Sequence, residues 1–180
     1  MVVSLKDYSS VNSAPGGSGG QAFNFVDFFH GHTHASGWFA DRFGKPRKHF
    51  CGDFHGSFDG DDFLLDEKLY YTSGIKEERV WKVNISDSGV FTAESESLIG
   101  RASGLLSNDR LAMRYSMKVL VDSGKYWDLD MKDLMVLQPD GTLHNITHVY
   151  KWGFRIGTVS TQYQQHDGQI RCSDKLGMTA

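Results

Sequence analysis

Proline is nearly absent, with 3 in 180 residues. That excludes polyproline segments and leaves long strands free to run unbroken. Only two cysteines occur, Cys51 and Cys172. They exclude a disulfide-dense scaffold and a C-x-x-C metal knuckle, and read as two free thiols in a reducing compartment. No stretch approaches the ~18 apolar residues of a membrane-spanning helix. The opening M-V-V-S-L-K-D-Y has no apolar core of the kind a secretory signal carries, which points to a cytoplasmic or organelle-interior location, membrane-peripheral at most. Basic runs are missing and the net charge is −3, so general nucleic-acid binding is excluded. No long window keeps a helical apolar period, which argues against long amphipathic helices.

What is present favours strands. Glycine numbers 20 and aromatic residues make up 13% of the chain, a balance that suits sheets and tight turns. The length fits one domain. Residues 1–24 read as a flexible arm, because Ser9–Gly20 (S-S-V-N-S-A-P-G-G-S-G-G) has linker composition; such an arm can order on a protein partner. Residues 25–166 read as strand after strand, and 167–180 as a C-terminal tail. Expected strands begin at about Phe28–Phe39 and Arg47–Phe58 and continue to Arg155–Gln164. Ile99–Asp109 reads as a glycine kink between strands. The clearest strand is Leu111–Val121, with Leu111, Met113, Tyr115, Met117 and Val119 on one face and Arg114, Ser116 and Lys118 on the other. The pattern predicts an all-β fold, an antiparallel up-and-down barrel of roughly nine or ten strands, with a β-sandwich as the alternative.

The segment Phe63–Trp81 reads as a hairpin with a charge buried in each arm. Glu67 shares a face with Phe63, Leu65, Leu69 and Tyr71, and Arg79 shares a face with Trp81, Val83 and Ile85. A buried charge needs a partner, so Glu67 and Arg79 are expected to pair across the hairpin. Asp133 follows Trp127, Leu129 and Met131 at period two and points with them. This set reads either as a structural ion network or as polar groups that orient a ligand in an apolar pocket. The candidate pocket lining is Trp38, Glu67, Arg79, Trp81, Met113, Tyr115, Met117, Trp127 and Met131, where the thioethers suit an irregular apolar ligand. His30, His32 and His34 alternate along the first strand and share a face. They are low-ranked metal candidates, with His55, His144 or His148 as further ligands. If catalysis occurs, Glu67, Asp133 and His32 are the candidate acid/base groups.

Several motifs occur in a fixed order: F-x-G-x-x-x-A-x-G-x-F-x-D-R-F-G-K (Phe29–Lys45), L-D-E-x-L-x-Y-x-x-G (Leu65–Gly74), R-V-W (Arg79–Trp81), I-G-x-A-x-G (Ile99–Gly104), D-L-M (Asp133–Met135), L-x-N (Leu143–Asn145) and K-W-G-F-R-I-G-x-V (Lys151–Val159). On these residues the chain resembles a family of bacterial lipoproteins of unknown function with a lipocalin-like (calycin) barrel, over about residues 25–165. The resemblance implies the barrel and little chemistry. Such lipoproteins usually carry a signal peptide and a lipid-anchored Cys, and this chain shows neither. In lipocalins a Gly-x-Trp element sets a Trp at the barrel floor; here Gly37 and Trp38 are adjacent, and an inward Trp38 would bring the histidines inside. The expected function is binding of a small hydrophobic or amphipathic molecule (a lipid, fatty acid or pigment), with no cofactor. The alternatives are an accessory subunit that engages a partner through residues 1–24, and a barrel isomerase or cyclase.

Overall fold

The computed structural model describes residues 22–121, 123–168 and 171–172; most of the expected N-terminal arm therefore lies outside the described residues. A short helix, α1 (Phe25–Phe29), precedes ten strands: β1 (Gly31–Asp41), β2 (Pro46–Asp59), β3 (Asp62–Tyr71), β4 (Lys76–Ile85), β5 (Val90–Glu94), β6 (Ala102–Ser107), β7 (Arg110–Leu120), β8 (Tyr126–Leu137), β9 (Leu143–Lys151) and β10 (Phe154–His166). Each strand pairs antiparallel with its chain neighbours, and β1 pairs with β10 to close an up-and-down barrel. Closure leaves no free sheet edge at the β1–β10 seam.

Side chains alternate between the interior and the outer wall. β3 buries Phe63, Leu65, Glu67 and Leu69, and β8 buries Leu129, Met131, Asp133 and Met135. Outward positions carry charge, among them Lys68, Glu78, Lys82 and Asp130.

One barrel end is plugged by α1. The Asn24 side chain accepts from the N–H groups of Val26 (3.0 Å) and Asp27 (3.2 Å), which starts the helix. Phe25, Phe28 and Phe29 then turn into an aromatic cluster with Phe54, Phe63, Phe91 and Tyr163. Gly56 permits the plug's approach, because a Cβ there would be driven into the Phe29 carbonyl. At the other end β5 and β6 are short. β4 pairs with β5 only over Lys82–Ile85, so the wall is low beside the first half of β4. The segment between β5 and β6 partly covers this gap: Ile99 N–H donates to the Ser116 carbonyl, and Lys118 N–H to that of Ser97.

The structure corrects several expectations. Phe28 lies in a helix, not in the first strand, because Asn24 caps a turn just before the strand can begin. The packed unit starts earlier than residue 25: Phe23 is buried and its N–H donates to the Asn108 carbonyl (2.6 Å). The glycine-containing stretch Ile99–Asp109 holds a strand, β6, whose Gly104 lets the β7 backbone come close. Cys51 and Cys172 are not free thiols. They form a disulfide that ties residue 172 of the expected tail to β2, and the Cys172 N–H donates to both Asp53 oxygens (3.2 and 3.0 Å).

The bridge joins residues separated by 121 positions, so it removes much of the unfolded chain's freedom. Cys51→Ser/Cys172→Ser should cost about 2–5 kcal/mol. Reduction of the wild type should lower its melting temperature by several degrees, with no change in the double variant.

Candidate functional site

The interior holds a cavity of about 550 Å³ that opens at the end opposite α1. Its apolar wall draws on the plug (Phe25, Phe29) and on a second cluster of Met117, Leu129, Met131 and Val149 nearer the mouth. Glu67, Arg79, Trp81, Met113, Tyr115, Met117, Trp127, Met131 and Asp133 all line it, so strand alternation brings nine of the sequence-derived candidates together.

Trp38 and the histidines are placed elsewhere. Trp38 points outward and is 44% exposed. The inward residues of β1 are instead Thr33, Ala35 and Gly37. The reason is steric: a Cβ at Gly37 would meet the Phe50 ring, and one at Gly52 would meet Phe54 and Leu69. Neighbouring aromatics thus fill the space over the first part of β1 and leave its inner face room only for small side chains as far as Gly37; Phe39, nearer the mouth, lines the cavity. His32 and His34 therefore stand on the outer wall. His32 lies beside His55 and His166, with ring centroids 4.7 and 5.9 Å away, and is too far from the cavity for an acid/base role there. Burial and these neighbouring histidines lower the His32 pKa. His34, Cys51 and Cys172 bring ligand-type atoms within 4.8 Å of one another, but both sulfurs are spent in the disulfide.

Arg79 is the centre of the polar wall. It stands opposite Glu67 in the β3–β4 register, with Nε 3.7 Å from Glu67 Oε1. Its Nη2 also donates to Glu77 Oε2, and its Nη1 lies 3.8 Å from the Met117 sulfur. The second Glu67 oxygen accepts from Trp81 Nε1 at 2.6 Å. Burial alone would lower the Arg79 pKa; Glu67 and Glu77 outweigh it and raise it. Glu77 was readable in the sequence, since it sits two residues before Arg79 and so shares its face.

Asp133 anchors a second group. Its Oδ2 accepts from Tyr115 Oη (3.2 Å) and Asn145 Nδ2 (3.3 Å), and Asn145 also reaches Thr147 Oγ1 (3.4 Å). Burial pushes the Asp133 pKa up to about 6, partly opposed by the polar side chains of Thr147, Asn145 and Tyr115 beside it. Oδ1 of Asp133 and Oδ1 of Asn145 are buried acceptors with no hydrogen-bond donor. Asn145 and Thr147 belong to the site although sequence reasoning did not select them. Their signal was alternation with Leu143 and Val149 along β9.

Two outcomes follow from this geometry. Arg79→Ala would leave Glu67 and Glu77 facing each other without a counter-charge and should cost about 3–5 kcal/mol in thermal or denaturant unfolding. Asp133 binds its proton more tightly when folded than when unfolded. Its contribution is therefore favourable below the ordinary carboxylate range and is lost as pH rises through about 6. Asp133→Asn should stabilise the protein at pH 7 by about 2–3 kcal/mol. The gain should fade toward pH 4 in melting curves taken across that range.

No curated protein matches the chain. The family model described as "Protein of unknown function (DUF3833)" matches residues 2–165. With most of its length covered by that model, this barrel belongs to the DUF3833 family.

Proposed function

We propose that the barrel binds one small amphipathic molecule, apolar along most of its length, with a polar head that donates hydrogen bonds. The observation that carries this reading is the pair of buried, donor-less acceptors on Asp133 and Asn145 in the wall of a large, mainly apolar cavity. Pockets of this size, with an apolar lining and few polar groups, suit small ligands. A buried acceptor without a donor is costly until something supplies one. Arg79 is already held by two carboxylates, so a hydroxyl, amide or ammonium head fits this wall better than the carboxylate of a fatty acid. The Cys51–Cys172 bridge supports an oxidising compartment for this activity instead of the cytoplasm.

A second reading has one specific observation behind it. Asp133, with its pKa near 6 and Tyr115 beside it, is suited to exchange a proton with a bound molecule. Incubation with the ligand separates the two readings, since a binding protein returns it chemically unchanged.

Titration with a fluorescent long-chain amine, the matching alcohol and the matching acid tests the proposal. Saturable binding is expected, tighter for the amine and alcohol. Met117→Trp, which fills the cavity, should weaken it about tenfold without loss of fold. Absence of saturable uptake of all three probes overturns the binding reading. Tighter binding of the acid overturns the head-group assignment alone.

A further inference from the structure

The open end of the barrel carries exposed aromatic side chains that the cavity does not use. Strand order makes the β1–β2, β9–β10 and β7–β8 hairpins successive neighbours around that rim. Phe43 stands at the tip of the first and is 80% exposed. Trp152 and Phe154 stand at the second, 85% and 76% exposed, and Tyr126 flanks the third. Trp152 has φ 51° and is followed by Gly153 at φ 80°. Asn or Gly fills the first of these two positions without strain, whereas a bulky side chain there is strained. The turn thus holds an indole out into solvent at a conformational cost.

Cations are interleaved with these rings. The Arg42 guanidinium lies 4.6 Å from the Phe43 ring, and the Lys151 ammonium lies 3.6 Å from that of Trp127 and 4.8 Å from that of Trp152. Lys45 and Arg155 are exposed on the same hairpins. Among the described residues at the three tips the acidic one is Asp41, and it is bound to Arg47 Nη2 (2.7 Å) and to the Phe43 and Lys45 N–H groups. This arc is therefore basic although the whole chain is acidic. Below the rim, outward charges such as Asp66, Lys68 and Asp128 interrupt the wall, so no tall apolar band girdles it as in a membrane-spanning barrel.

We propose that this rim docks the open end of the barrel onto an anionic phospholipid bilayer. Phe43, Trp152 and Phe154 enter the boundary between headgroups and acyl chains, the depth that aromatic side chains favour. Arg42, Lys45, Lys151 and Arg155 meet lipid phosphates, their stems lying along the apolar layer. The rings stand on separate projecting tips around an opening. They offer a fluid interface several shallow insertion points, and they do not form the continuous face against which a folded partner packs. Docking rests on the rim alone and not on what fills the cavity. Once docked, the mouth faces lipid, and an amphiphile can pass between bilayer and barrel without crossing bulk water.

Co-sedimentation of the full chain with vesicles tests this. The protein should bind phosphatidylglycerol/phosphatidylethanolamine vesicles at low salt, release from them as salt rises, and bind pure phosphatidylcholine far more weakly. The variants Phe43→Ser/Trp152→Ser/Phe154→Ser and Arg42→Gln/Lys45→Gln/Arg155→Gln should each weaken partitioning at least about tenfold. None of these side chains lines the cavity, so both variants should keep the wild-type melting temperature and probe uptake. Failure to bind anionic vesicles, equal binding to neutral ones, or undiminished binding by the folded aromatic variant overturns the proposal. A dimer that forms without vesicles and is lost in the aromatic variant would assign the rim to a second copy of the chain instead.

Discussion

Pairing of the first strand with the last is the constraint from which the rest of the molecule follows. Once β1 and β10 join, every side chain on every strand lies either in a confined interior or on the outer wall. The interior is too large for the plug and the Met cluster to fill, and several strands send ionisable groups into it. Arg79 resolves the resulting conflict by serving Glu67 and Glu77 together, while Asp133 is left to hydrogen bonds and a raised pKa. A buried ion pair contributes little net stability compared with well-packed apolar residues. Its presence leaves a polar spot inside an otherwise apolar space.

The sequence disclosed what period-two alternation controls. The expected strand Leu111–Val121 lies within one residue of β7 at each end, and the Glu67–Arg79 pairing follows from register across one hairpin. Alternation says which residues share a face, but not which face is inside. The histidines of β1 do share one, yet Phe50 and Phe54 occupy the interior above the first part of that strand, and His32 and His34 stand on the outer wall. β6 was hidden because its burial does not alternate cleanly and glycine breaks its pattern. The disulfide was hidden because nothing local relates residues 121 positions apart. The acceptors on β9 were hidden because Asn and Thr are ordinary strand-surface residues until closure places them inside.

From the plug outward come the aromatic cluster, the acceptor-rich wall, the Met117–Val149 apolar cluster and the aromatic tips, and α1 plugs the far end. The barrel is thus a cup plugged at its base, and an arc of its rim differs in charge from the chain as a whole.

The shortness of β5 and β6 has a mechanical consequence. Between its start and Lys82, β4 is bonded to a neighbouring strand on one side only, so this stretch is the weakest line in an otherwise continuous hoop of hydrogen bonds. The hoop will breathe here before it breathes anywhere else. Lys76 and Glu78, pointing outward along that line, keep its bare backbone from adopting a strand of another molecule. The lip of the cup can then widen along this line while the plugged base keeps its shape.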